Sequence, residues 1–139
     1  MKLSVSFVSE IEKICTASSC PQPLRDAAEN MNNLSIAVGE SDYGPMEGDV
    51  DYWKRMAVFW KSGTTEAMRR RCGNCSFFDT SPRMAVCIPR RKQGGTILGY
   101  CHVHLFACNS ARTCQSHEAG KPIDSDEVSM SLQERSESH

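Results

Sequence analysis

The chain has 139 residues, eight of them cysteine, with 40% hydrophobic side chains and a net charge of −1. One domain's length of chain, with large aliphatics sparse in its cysteine-rich half, builds no sufficient core unaided and calls for disulfides, a metal or a partner as staples. No run reaches the ~18 apolar residues of a membrane span, and no phosphate loop, nucleophile–base arrangement or nucleic-acid reader motif is present, which argues against an enzyme and against a dedicated nucleic-acid binder.

The charge is segregated. Residues 1–52 carry three basic and nine acidic side chains, residues 53–92 ten basic and two acidic, and residues 93–139 three basic and six acidic. A basic middle segment between acidic flanks either complements the chain itself or faces an anionic cluster or an acidic partner. Lys54, Arg55, Arg69, Arg70, Arg71, Arg90, Arg91 and Lys92 would supply that face.

The first residues, Met1 to Glu10, are broken by serines and end in acids, unlike an export signal. The expectation is therefore synthesis and residence in a cytoplasm, where metal binding rather than disulfide formation is the default use of cysteine. Leu3, Phe7, Ile11 and Ile14 recur at helical spacing and predict a helix over residues 4–15. Pro21 and Pro23 interrupt it, and Pro23 opens a second helix with Leu24, Ala27, Ala28 and Met31 as its buried stripe. Residues 39–50, rich in glycine and acid, read as a loop or linker. Asp49 or Asp51 caps a helix through about residue 61, with Tyr52, Trp53, Met56, Ala57 and Trp60 on its apolar face. Thr64 caps a shorter helix that delivers residues 69–71 to Cys72. From Cys72 to Cys114 there is little periodicity, so metal-pinned loops are expected, with a short helix over residues 101–108. Residues 124–139 are polar and serine-rich and read as disordered.

Fold class follows: a small metal-stapled protein, mainly α plus irregular loops, with short N-terminal helices packed on a cysteine-rich cluster-binding core. Its parts are an acidic helical segment (1–49), the cysteine-rich domain (50–123) and a tail (124–139).

Six cysteines lie between Cys72 and Cys114. The first four read Cys72-x2-Cys75, then Cys87, then Cys101. Cys-x2-Cys puts two sulfurs on one tight turn, and four thiolates hold zinc, cuprous copper or an iron–sulfur cluster. Zinc ribbons usually pair two such knuckles; here Cys87 and Cys101 stand alone, which favours a cluster and leaves zinc and then disulfides as the alternatives. Phe77, Phe78 and Tyr100 flank the ligands and would exclude water. Cys108 and Cys114 are alternative ligands or a disulfide pair, while Cys15 and Cys20 read as ordinary small residues or a peripheral pair. His102, His104 and His117 also lie near; His102 and His104, separated by Val103, would point to opposite sides of an extended strand and read as surface polar groups.

The run Cys72-Gly73-Asn74-Cys75-Ser76-Phe77-Phe78, followed by Cys87 and Gly99-Tyr100-Cys101, resembles the ligand pattern of high-potential iron–sulfur proteins. That resemblance implies one [4Fe–4S] cluster on Cys72, Cys75, Cys87 and Cys101. The chain departs from the pattern in a shorter loop between Cys75 and Cys87, in lacking an export signal, and in two further cysteines. The wider layout, with Tyr43-Gly44-Pro45, Tyr52-Trp53, Cys72-Gly73-Asn74-Cys75, Gly99-Tyr100-Cys101 and Ala111-Arg112-Thr113-Cys114, resembles small cysteine-rich proteins of tailed bacteriophages over residues 25–123. It implies a phage source, host cytoplasm at synthesis, a place in the virion, and phage structural proteins as partners. The expected function is a non-enzymatic protein holding one metal–sulfur centre as a structural or redox element. The alternatives are a free electron carrier and a zinc-stapled interaction or nucleic-acid-binding module.

Overall fold

The computed structural model describes residues 20–39, 43–45, 49–88 and 92–138. The expected helix over residues 4–15, and Cys15, lie outside them. The described residues form helices around a small antiparallel sheet. In chain order these are α1 (Gln22–Arg25), α2 (Ala27–Gly39), α3 (Val50–Trp60), α4 (Thr64–Ala67), a 3-10 turn at Cys72–Asn74, β1 (Phe78–Asp79), α5 (Pro82–Cys87), β2 (Lys92–Gln93), β3 (Thr96–Cys101), β4 (Phe106–Asn109) and α6 (Asp126–Glu137).

Strand β3 is the hub. On one edge it pairs with β2 (Lys92 opposite Ile97) and β1 (Phe78 opposite Cys101); on the other it pairs with β4 (Cys101 opposite Phe106, Gly99 opposite Cys108). Because side chains alternate along a strand, this register sorts the residues onto two faces. Cys101, Phe78, Phe106 and Cys108 share one buried cluster with Cys72, Cys75 and Tyr43. Tyr100, Leu98 and Ala107 belong to another, with Met84 and Ile88 of the α5 segment and Leu24 of α1. Residues 101–108, expected as a short helix, are instead the end of β3, a turn and most of β4. The turn is closed by Leu105 N–H donating to Cys101 O at 2.8 Å, with Leu105 at φ 58°.

Gly99 sits where β1 crosses. A Cβ there would meet Phe78 Cζ at 2.5 Å and the backbone oxygen of Asp79 at 2.8 Å. The second atom is fixed by strand pairing and cannot swing away. Gly99→Ala is therefore expected to destabilise the fold by about 1–3 kcal/mol, the usual cost of overpacking, seen as a lower midpoint in urea unfolding. An unchanged midpoint would refute this packing.

The helices follow ordinary rules. Asp49 Oδ1 accepts from Tyr52 N–H at 3.0 Å and caps α3, which ends at Lys61 in the left-handed region. Its buried face, Tyr52, Trp53, Met56 and Ala57, packs on Ala67 of α4. In α2 the expected stripe is misplaced: Met31 is 56% exposed, and Ala37 is the buried residue. Polar contacts tie α2 to the β3–β4 hairpin instead, through Asn30 Oδ1 accepting from Ala107 N–H at 2.8 Å and Asn33 Nδ2 donating to Leu105 O at 2.6 Å.

The C-terminal segment is the largest departure from expectation. Residues 126–137 form α6, capped by Ser125 and carrying acids in the first turn and Arg135 in the last. It docks through polar groups. Ser129 and Gln133, four apart and so on one face, accept from the buried Arg83 guanidinium at 2.7 and 2.6 Å, and Asp126 Oδ1 accepts from Arg83 N–H at 2.9 Å. Ser129 Oγ also donates to Asp79, whose carboxylate takes Ser81 N–H at 2.9 Å and His102 Nε2 at 2.7 Å. Matched donors and acceptors bury this helix where apolar residues would normally do so.

Candidate metal centre

Five cysteines among the described residues are free and buried: Cys72, Cys75, Cys101, Cys108 and Cys114. Together with Phe78 and His117 they line one cavity of about 10 Å³. Local structure explains their arrival. The 3-10 turn carries Cys72 and is pinned to the segment after β4 by Cys72 N–H donating to Arg112 O (2.6 Å) and Gly73 N–H to Ser110 O (2.9 Å). Cys75 closes that turn. Cys101 and Cys108 project from the same face of the hairpin, and Cys114 is held in a bridge to Tyr43.

Backbone donors point at the sulfurs. His104 N–H donates to Cys101 Sγ at 3.3 Å, Glu118 N–H donates to Cys75 Sγ at 3.5 Å, and Ser116 N–H serves Cys114. Such donors stabilise thiolate and help set the potential of a bound cluster. Burial nonetheless dominates. It pushes the Cys101 thiol up to about 12, with Cys72 and Cys75 adding to the rise. It also raises Cys114, next to Cys101 and Cys72. Cys108 is raised well above the ordinary thiol value, first by its hydrogen bond with Cys72 and then by burial. Burial thus favours the thiol form of Cys101, Cys108 and Cys114 until a cation offsets their charge.

His117, which the sequence places near the cysteines without a role, is 8% exposed and forms part of the cavity wall. Asn74 fixes its tautomer. Asn74 Nδ2 donates to Arg69 O at 2.6 Å and Oδ1 accepts from Arg71 N–H at 3.0 Å, so the amide orientation is determined. The contact of 2.6 Å between His117 Nε2 and Asn74 Oδ1 then makes Nε2 the protonated nitrogen. Nδ1 is buried without a hydrogen-bond partner. Burial, helped by nearby Arg70, lowers the ring's pKa. Trp60 packs edge-on against His117 at 6.2 Å, and the Arg70 guanidinium covers Trp60 at 4.9 Å.

Of the four ligands implied by resemblance, Cys72, Cys75 and Cys101 meet at the cavity and Cys87 does not. Cys87 forms a disulfide with Cys20, 67 residues away, and packs with the Tyr100 cluster. Cys101 and Tyr100 are successive strand residues, so Cys87 lies across the sheet from the cavity. Cys20 is accordingly a disulfide partner of Cys87, and Cys108 and Cys114 are not paired with each other. Tyr100 likewise faces away from the cavity; Phe78 is the aromatic that lines it.

The basic face is partly internal. Arg71 stacks on Trp53 at 4.5 Å and donates to Ala111 O and Met68 O at 2.7 and 2.6 Å. Lys54, Arg55, Arg69 and Lys92 are exposed, whereas Arg90 and Arg91 lie outside the described residues. Asp79 is hydrogen-bonded to His102, and Ser129 bonds to Asp79 rather than to the imidazole.

Among the described residues, no group of three or more His, Cys, Asp or Glu side chains is arranged to hold a metal ion, and no helix is long and apolar enough to cross a membrane. Comparisons with family models, curated proteins and solved structures return no match.

Proposed function

We propose that the chain holds one metal–sulfur centre, a [4Fe–4S] cluster, on thiols drawn from Cys72, Cys75, Cys101, Cys108 and Cys114, and that it serves as a non-enzymatic structural or redox protein. The observation that carries this reading is the convergence of five reduced cysteines from separate segments on one buried cavity with no acidic group in its wall. Thiolate-rich donor sets suit soft metals and clusters.

The residues fit the group in chemistry. Four of the five thiols suffice to hold a cluster, and the backbone N–H donors at Cys75, Cys101 and Cys114 are the partners that cluster ligands take. A zinc ion requires four ligands meeting at one point about 2.3 Å away; a cluster distributes its thiolates over several irons. At about 10 Å³ the cavity is on the scale of one water, so it would have to enlarge to hold a cluster. When bound, the cluster supplies one-electron chemistry. The chain's own residues bind it, exclude water through Phe78 and the β3–β4 hairpin, and give up thiol protons as it loads.

The resemblance to phage cysteine-rich proteins supports a viral source, host cytoplasm at synthesis and a place in the virion beside phage structural proteins. Exposed Lys54, Arg55 and Arg69 would meet an acidic partner. The decisive test is iron and acid-labile sulfide per chain after anaerobic purification. Four of each, with broad absorbance near roughly 400 nm, is the expected result. A colourless protein carrying stoichiometric zinc would replace this reading with the zinc-stapled module, and a metal-free folded chain would end both.

A further inference from the structure

A metal-binding imidazole is usually held by a hydrogen bond from its second ring nitrogen, which sets the tautomer and leaves the first with a free lone pair. His117 meets this description without any metal being invoked. Its Nε2–H is committed to Asn74 Oδ1, and that oxygen is identified as the acceptor by Arg71 N–H and by the Asn74 amide donating to Arg69 O. Its Nδ1 is an acceptor buried without a partner, in a residue 8% exposed. Such orphaned groups are costly and uncommon in folded proteins. The ring is also part of the wall of the cavity that five thiols share. The segment from Cys114 is folded back to put it there, with His117 N–H donating to Cys114 O at 3.1 Å and Glu118 N–H to Cys75 Sγ.

We infer that His117 is a nitrogen ligand of the centre, binding through Nδ1 beside the cavity thiols; the inference rests on the metal–sulfur reading above. It makes the ligand set mixed, with one imidazole among thiolates. A neutral ligand in place of a thiolate removes one negative charge from the centre, which raises its reduction potential, as histidine does in Rieske centres. His117 is also the cavity residue that touches Trp60, placing the imidazole-bound metal on the side of the half-buried tryptophan.

The test uses full-length protein purified anaerobically from cells grown on ⁵⁷Fe. Wild type is expected to show one iron subsite with Mössbauer parameters distinct from the all-thiolate sites. In His117→Cys that subsite should become like the others, and the midpoint potential should fall. Superimposable spectra of wild type and His117→Ala at equal iron content would overturn the inference while leaving the cluster intact. If His117→Ala does not fold, His117→Cys carries the comparison. If the protein holds no iron, cobalt(II) is added to the reduced chain. A visible spectrum that differs between wild type and His117→Cys supports the histidine ligand, and identical spectra refute it. A chain that takes neither metal refutes both readings together.

Discussion

Cys101→Ser is expected to yield protein depleted in iron, sulfide and colour, whereas Cys87→Ser is expected to keep all three. Both residues occur in the sequence pattern from which a four-cysteine ligand set would be drawn, and the structure separates them. Cys101 and Cys108 lie on the cavity face of the hairpin, while Cys87 is covalently bound to Cys20 beside Tyr100. The second variant should still be weakened. Opening a crosslink between residues 67 apart costs about 4 kcal/mol by the chain-entropy argument, so its unfolding midpoint should fall although its metal content does not. Iron analysis and urea unfolding on the same preparations check both halves. Loss of iron from both Cys87→Ser and Cys101→Ser would restore the pattern read from sequence, and retention in Cys101→Ser would reject the cavity.

Asp79→Ala is expected to cost about 3–5 kcal/mol, the range for removing one partner of a buried charged network. Its carboxylate is fully buried and takes hydrogen bonds from Ser81, His102 and Ser129. Truncation strands all three donors and loosens α6, which is also fastened by Arg83. Asp79→Asn keeps one acceptor oxygen and should lose less. The same group gives a pH signature. Burial acts to raise the Asp79 pKa, but the bonds from His102, Ser129 and Ser81 outweigh it, and the folded value lies below the ordinary one. Its stabilisation is thus present above the unfolded value of about 4 and disappears as the pH falls through the lower folded value. Chemical unfolding between pH 6 and 3 should show a stability loss that Asp79→Ala lacks. Parallel pH profiles for the two proteins would reject this assignment.

Local signals in the sequence identified much of this architecture. Asp49 followed by Tyr52, Trp53, Met56 and Ala57 defines both the cap and the buried face of α3, because caps and helical spacing are short-range features. Cys72-x2-Cys75 makes a tight turn for the same reason. What escaped depended on long-range pairing. Ile97, Gly99 and Cys101 alternate with Leu98 and Tyr100, but a glycine on one face and a tyrosine on the other obscure the two-residue period. Without that strand, Cys87 could not be placed on the opposite side from Cys101. The α6 helix was missed because its inward residues are Ser129 and Gln133. Their partners Arg83 and Asp79 lie about 50 residues earlier, and a polar stripe resembles a solvated one until those partners are known. His117 carried one readable clue, its place three residues after Cys114, in the span that folds back onto Cys75.

The sheet also divides sulfur into two oxidation levels, a cystine behind it and dithiol-rich chemistry in front. An oxidising step that closes the rear crosslink endangers the front group as long as its thiols are bare, because neighbouring sulfurs pair with one another readily. On the metal–sulfur proposal, maturation would favour inorganic loading before sealing. Chains oxidised prematurely should accumulate as scrambled, metal-refractory species that reductant can rescue.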